Sequence, residues 1–386
     1  MSSLRIECIT TQPELERLET EWRALEPRIL PVPFTSYDWN IAWWKHMHSA
    51  RKAVSDSLFV ITLRDKENQL RGVAPLMITH RPAVGPLRLA QLQFFGADQN
   101  ITEMRGLAAP VEDAPWLYAE LIEYLRTQKQ WDWMKLTGLP AATLAKEVVE
   151  KIYPATRWTR ELFNFYLVLQ PTWEEFKSGL SRNIKESLRK CANAPKRDGL
   201  NFTFNVARTM DEARPALDEF FRLHAARSQL TDTISHPNVF AEPNARDFLI
   251  EVCDRYAARD ALRIFQLRSA DRVIATRIGL VSGESVYFYY SGYDTEFSKY
   301  SVMTTAVAEG IKYCIESGFK TINLSTGRDV SKERWSPAET LYLEAELNAP
   351  AISSIAKYRA FRFASGVLAK SLSRTRLWSL VARRAR

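Results

Sequence analysis

The sequence predicts an α/β protein built from two tandem copies of one unit, each a mixed, mostly antiparallel sheet flanked by helices. Three observations carry this. The chain has 386 residues, too many for one ordinary hydrophobic core, so two domains are expected. Two segments align at a constant offset of 189 residues, AELIEYLRTQKQWDWMKLTG (119–138) and AEGIKYCIESGFKTINLSTG (308–327), identical at six of twenty positions. Upstream of each lies a strand, a polar turn and a second strand, LFVITLRDKENQLRGVAPLMI (58–78) and LRIFQLRSADRVIATRIGLVS (262–282), which is a hairpin pattern.

Within the repeat a helix precedes a short strand. In the second copy Val307, Ile311, Cys314 and Ile315 recur at helical spacing, Gly318 supplies a stop, and TINLS alternates. Each half thus reads hairpin, further strand, helix, strand, as duplication of an α/β unit would give. The boundary falls within 155–175, where YPATRW and LQPTW bracket the strand-like FNFYLVL. This gives domains at 1–165 and 166–345, the second with a helical insertion over 172–260 that has no counterpart of similar length in the first. Residues 346–386 read as a basic amphipathic tail.

Apolar residues make up 46% and charged residues 25%, the values of a folded chain. Cys8, Cys191, Cys253 and Cys314 are scattered without paired spacing, which fits a reducing compartment and neither a zinc site nor a disulfide framework. The start lacks a signal pattern, and no apolar run approaches the ~20 residues of a membrane span. A cytoplasmic, soluble protein is expected. The formal charge is +8, but residues 347–386 hold nine Lys or Arg and no acid, leaving 44 basic against 45 acidic residues elsewhere. Basicity therefore belongs to the tail, which weighs against a nucleic-acid surface on the body. The tail also carries Phe361, Phe363, Val367, Leu368, Leu372, Leu377, Trp378 and Leu380, a mixture that suits reversible binding to the inner-membrane surface.

The order of hairpin, aromatic strand VYFYYSGYD, loop TEFSKYS, helix and strand TINLSTG resembles the core of the GNAT acyltransferases. More specifically it resembles the double-GNAT group that includes CelD-like acetyltransferases and Fem-type aminoacyltransferases. PFTSYDWNIAWWKHM, SRNIKESLRKCANAPKRDGL and FFRLHAARSQ extend the resemblance over nearly 1–340. It implies acyl-CoA as co-substrate, no permanently bound cofactor and an amine acceptor. Some members of this type acylate lipid long-chain bases, as bacterial ceramide synthases do, so a sphingoid base or an envelope sugar is the expected acceptor. The alternatives are a Fem-like transferase using aminoacyl-tRNA and a non-catalytic protein of polysaccharide assembly. The loop that cradles the CoA pyrophosphate normally carries glycines; here KYSVMT has none.

The candidate site residues follow from chemistry. A helix start offers free N–H groups and partial positive charge, so Ser301 as N-cap, Val302 and Met303, with Lys299 beside them, suit donor phosphates. Arg182 and Lys185, in a helix capped by Ser181, are further phosphate contacts. The first copy has Glu112 and Asp113 at the equivalent place, which would repel a pyrophosphate, so its donor site is degenerate and the donor belongs to the second copy. The strand from Val286 to Tyr293 alternates Tyr287, Tyr289, Ser291 and Tyr293 against Val286, Phe288, Tyr290 and Gly292. Backbone N–H groups at its splayed end suit an oxyanion, and Tyr290, Tyr293 or Tyr300 suits the acid that protonates a leaving thiolate. His224 shares a helical face with Leu217, Phe220 and Phe221 and is the candidate base. Arg227 would orient an anionic group, and Ser291 and Trp39 would meet substrate, although Trp39, Trp43 and Trp44 also suit the core of the first domain. TDTISHPNVFAEPN (231–244) reads as a lid or acceptor loop, with His236 on its surface.

Overall fold

The structure, a computed structural model, describes residues 4–82, 88–98, 100–141, 143–229 and 236–374. The chain begins with β1 (Arg5–Ile9), α1 (Gln12–Arg17), α2 (Glu19–Leu25) and α3 (Tyr37–Met47). There follow β2 (Ser55–Leu58), β3 (Val60–Arg64), β4 (Leu70–Ala74), β5 (Leu76–Arg81) and β6 (Leu89–Phe94). Next are α4 (Ala114–Thr127), β7 (Trp133–Pro140), α5 (Thr143–Ile152) and β8 (Arg157–Val168). The second half holds α6 (Trp173–Ser178), α7 (Arg182–Arg197), β9 (Phe202–Ala207), α8 (Met210–Ser228) and α9 (Pro243–Ala257). It continues with β10 (Leu262–Ser269), β11 (Arg272–Ser282), β12 (Ser285–Tyr293), α10 (Val302–Glu316) and β13 (Thr321–Thr326). The short helix α11 (Val330–Glu333), β14 (Ala338–Asn348) and α12 (Ile352–Arg374) close it.

Two compact units emerge, but not by one cut. The first takes the chain up to Leu30, Trp43–Leu162 and everything from Leu341; the second takes Pro31–Ala42 and Phe163–Thr340. The expected boundaries at 165 and 345 fall a few residues inside strands β8 and β14, and the expected contiguity of the first domain gives way to two exchanged segments. Both exchanges have a local cause. Residues 31–42 are almost wholly apolar or paired and bury in the second unit, and β14 carries the alternating apolar residues that its partner β7 needs.

In the first unit β3 pairs with β1 and β4 in a three-stranded sheet. The remaining strands run in the order β2, β5, β6, β7, β14. Residues 58–78 are not one hairpin: the strands break at Phe59 and Pro75, so the first parts pair in one sheet and the outer parts in another. Proline cannot supply the ladder N–H that would carry β4 straight into β5. α4 packs Leu117, Leu121, Ile122 and Leu125 onto Leu92, Met134 and Leu136, the fully buried core of this unit.

In the second unit the order is β8, β13, β12, β11, β10, β9. Neighbours are antiparallel except β12 and β13, as β6 and β7 alone are parallel in the first unit. The duplication is thus present in the strand order, with the hairpin of the first unit split between two sheets and that of the second intact. It also reaches further back than expected: β9 pairs with β10 as β1 pairs with β3, so the stretch 172–260 includes an edge strand with a counterpart. Phe288, Val307, Ile311 and Cys314 close the core under α10, while α8 covers the other face of β12.

The segment 31–42 settles the place of Trp39. Its ring lies 5.0 Å from Phe248 and 5.5 Å from Tyr289, and Phe34 lies 5.1 Å from Tyr287. Asp38, fully buried, takes an ion pair from Arg259 at 3.0 Å and a longer one from Arg255 at 3.7 Å. Trp39 therefore packs the core of the second unit, whereas Trp43 and Trp44 stack on Phe95 in the first. The tail expected from residue 346 is also partly structure. Ser354 and Lys357 bind Asp132, Arg362 reaches Glu346, and Tyr358 packs on Trp133, so α12 is docked on the first unit at its start. The end of the expected tail, from residue 375, lies outside the described residues.

Candidate active site

The second unit offers a split in its sheet. β12 and β13 pair only from Ser285–Thr321 to Tyr287–Asn323, after which the two parallel strands part. At the same point β12 bulges. Arg277 pairs with Ser291 and Gly279 with Phe288, so Tyr289 and Tyr290 together face Ile278. A bulge breaks the two-residue period, and the expected alternation fails here: Tyr289 and Tyr290 lie 4.8 Å apart and both meet Phe240. The Arg277 guanidinium reaches the carbonyl oxygens of Phe288 and Tyr289 at 3.5 and 3.3 Å.

Beyond the bulge a polar cluster forms against α8. Gly292 permits it, because a Cβ there would sit 2.5 Å from the His224 backbone nitrogen. His224 is buried between Phe220, Phe240 and Tyr290 at 5.4 to 5.5 Å. Its Nδ1 lies 3.2 Å from the Ser291 carbonyl oxygen. A carbonyl only accepts, so Nδ1 carries the proton and Nε2 the lone pair. That Nε2 has no hydrogen-bond partner among the described residues. Burial, opposed by the Ser291 bond and aided by the charge of Arg227, lowers the His224 pKa to about 4. Arg227 donates to Ser291 Oγ at 3.3 Å and to His236 Nε2 at 2.7 Å, and lies over the Tyr293 ring at 5.7 Å. His236, expected on the surface, is therefore tied into the cluster; burial and then Arg227 lower its pKa. Of the loop that carries it, residues 230–235 lie outside the described residues.

The start of α10 differs from expectation in who attends it. Ser301 sits at φ 53°, ψ 45°, in the left-handed region, and its side chain makes no cap bond. Its carbonyl takes the N–H groups of Thr304 and Thr305, leaving those of Val302 and Met303 as the open donors of the first turn. Lys299 is engaged elsewhere, 3.2 Å from Asp198 and over the Tyr300 ring. The Tyr300 hydroxyl donates to the same carboxylate at 2.7 Å, and these two bonds, Tyr300 first, hold Asp198 below the usual carboxylate range. Lys299 and Tyr300 thus fasten the end of α7. The cation that does reach the helix start is Arg334, whose Nη1 donates to Thr304 Oγ1 at 3.3 Å and which has no carboxylate partner among the described residues. Thirty positions separate the pair, and only the charged run RDVSKER after β13 hinted at it. Arg182 points to solvent beside Glu186, and Lys185 donates to the Ser178 carbonyl at 2.8 Å.

The first unit has the same split, with β6 and β7 paired only from Gln91–Trp133 to Gln93–Lys135. There the chain fills it. Residues 95–113 join β6 to α4, and Leu107 N–H bonds to the Tyr118 hydroxyl, which itself donates to the Gly138 carbonyl at 3.0 Å. A Cβ on Gly138 would lie 2.1 Å from the Arg105 carbonyl oxygen, and Gly138 has φ +66°, so the contact needs glycine. In the second unit the connection is only 294–301, and it turns toward α7. Glu112 and Asp113 are bound by Arg28 and Arg71, so their charge is largely met. The filled split, more than repulsion, distinguishes the copies.

Among the described residues no group of His, Cys, Asp or Glu could hold a metal ion, and no helix is long and apolar enough to cross a membrane. Residues 180–335 match the family model of an acetyltransferase (GNAT) domain. No curated protein matches the chain in sequence. Among solved structures, FemX is similar with a TM-score of 0.57 at 10% identity, over 88% of this chain and 96% of that one. L-PGS from Bacillus licheniformis scores 0.46 at 10% identity, over 89% and 95%. A tandem GNAT protein from the clavulanic acid biosynthesis pathway scores 0.44 at 9% identity, over 90% and 99%. The FemX likeness is one of fold; the other two scores are too low to argue from.

Proposed function

We propose, from the match of residues 180–335 to the model of an acetyltransferase (GNAT) domain, that the second unit transfers an acyl group from a CoA thioester to an amine. The observation that carries this reading is the open split between β12 and β13 ending at the start of α10, where among the described residues the Val302 and Met303 N–H groups and Arg334 have no carboxylate partner. The donor pyrophosphate sits there, and the thioester lies along the bulged part of β12. The amine nitrogen attacks the thioester carbonyl; the C–N bond forms, the C–S bond breaks, and sulfur leaves as the thiolate. Backbone N–H groups freed by the split stabilise the oxyanion between these steps. The amine proton passes to Nε2 of His224, and the Tyr290 hydroxyl, beside it, protonates the thiolate. Tyr290 is favoured for this over Tyr293 and Tyr300 because its ring lies 5.4 Å from His224, whereas the Tyr300 hydroxyl donates to Asp198.

The acceptor is a membrane-associated amine such as a sphingoid long-chain base or an envelope sugar. The support is compositional: the cations and apolar residues that follow the docked start of α12. Thermal unfolding with CoA and acyl-CoAs of several chain lengths tests both parts. Protection by CoA supports the donor, and stronger protection by long chains supports the lipid acceptor. Protection by aminoacyl-tRNA and by no CoA species would replace the reading with a Fem-like one.

A further inference from the structure

We propose that a basic groove between α6, α7, β9 and α10 holds the 3′-phosphoadenosine end of CoA, an inference that rests on the donor reading above. The groove encloses about 590 Å³, within the size of small-ligand sites. α10 contributes Thr305, Ala308, Glu309 and Lys312, one continuous face of the helix. At ~1.5 Å per residue that face is roughly 10 Å long.

Three features select the ligand. The first is charge: Lys177, Lys185, Arg189, Lys196 and Lys312 line the groove, and the one acid, Glu309, is taken by Lys312 at 2.6 Å. Arg189 and Lys196 stand two turns apart on α7, and neither has a carboxylate partner among the described residues. Lys177 is met by Glu174 at 3.3 Å and Lys185 by the Ser178 carbonyl, so Arg189 and Lys196 are the cations placed to take an anion. The second is shape: Trp173 and Phe202 give flat apolar walls, with Leu188, Pro195 and Leu200 between them, which suits a planar base rather than a bare phosphate. The third is continuity. Cys191 lines the groove and its Sγ lies 3.9 Å from the Ser301 carbonyl, while Thr305 is one turn into α10, so the groove opens beside the turn proposed for the pyrophosphate. A ligand whose diphosphate sits on that turn has its nucleotide within reach of the groove. CoA has this build, with a further phosphate on the ribose to meet Arg189 and Lys196.

Calorimetric titration of the full chain with CoA, 3′-dephospho-CoA and adenosine 3′,5′-bisphosphate tests this. In Arg189→Glu/Lys196→Glu, CoA should bind roughly tenfold or more weakly, while dephospho-CoA changes by less than about twofold. Arg189→Gln/Lys196→Gln should shift CoA in the same direction by less. Adenosine 3′,5′-bisphosphate should compete with CoA on the native chain and lose that ability in the charge-reversed one. Native and reversed chains binding CoA equally would overturn the groove assignment while leaving the donor reading standing. A native chain that binds no CoA would overturn both. The substituted positions are exposed, so unchanged melting temperatures are expected throughout.

Discussion

The guanidinium of Arg334 donates to the hydroxyl of Thr304 at 3.3 Å, which sets a cation against the first turn of α10. That end of a helix is positive and favours anions. A half-buried arginine with no carboxylate partner among the described residues is therefore in an unfavourable place for folding and a favourable one for holding phosphate. Lys299, nearer in sequence to the helix start, is already neutralised by Asp198.

From this, Arg334→Ala should weaken CoA binding by roughly tenfold, and Lys299→Ala by less than about threefold. Calorimetry on the two variants decides it. Equal losses would return the phosphate contact to Lys299.

His224 should make stability depend on pH. In the folded chain its ring takes up a proton only near pH 4, whereas an exposed histidine does so near ~6.5. Between these values the unfolded chain binds the extra proton. The contribution is therefore complete above about pH 6.5 and is lost as pH falls toward 4, about 3 kcal/mol in all. Urea midpoints of the native chain and His224→Gln, followed from pH 7.5 to 4.5, should converge as the pH drops. Parallel curves would show that burial does not hold the ring neutral.

The filled split of the first unit should be sensitive to one methyl group. Gly138→Ala meets the Arg105 carbonyl and a left-handed backbone at once, and should cost about 2–4 kcal/mol. Under the proposed division of labour, CoA affinity measured well below the melting temperature should stay within about twofold. A loss of affinity with unchanged melting would place donor binding in the first unit.

Residues 31–42 should be needed by the second unit. Asp38→Ala removes the buried carboxylate that answers Arg259 and Arg255 and should destabilise by about 3–5 kcal/mol. A fragment of residues 163–340 should lack a cooperative melting transition that a linked copy of 31–42 restores. A cooperative melt of the bare fragment would show the segment to be dispensable.

Deleting residues 364–386 should leave the melting temperature unchanged, because Ser354, Lys357, Tyr358 and Arg362, which anchor α12 to Asp132, Trp133 and Glu346, all lie before that point. Deleting 352–386 should lower it. If the shorter deletion also removes the protein from anionic liposomes, the segment after 363 is the membrane contact; retention on the liposomes would reject it.

Much of the strand order was legible because it rests on local patterns: the repeat of AExIxY and TG, the alternation of TINLS, and the inward helical face of His224. What was not legible depends on contacts between distant residues. Nothing in VYFYYSGYD marks the bulge at Tyr289 and Tyr290, which is fixed by the register of β11. Lys299 reads as a free cation until Asp198, about a hundred residues away in sequence, is brought beside it. Trp39 reads as part of the first domain because it is near Trp43 in the chain, but the two side chains turn to different cores. A single charge or aromatic in a sequence announces its chemistry, not its partner.

β14 has a consequence for how the protein is made. The first unit completes its sheet with residues 341–348, which pair with β7 near residue 133. On a ribosome the half made first is therefore the half finished last. Until β14 leaves the exit tunnel, β7 has an open, apolar edge, the kind of surface on which nascent chains stick to one another. Premature termination anywhere before β14 leaves that edge bare, so a shortened product is marked for chaperones and proteases by its N-terminal half.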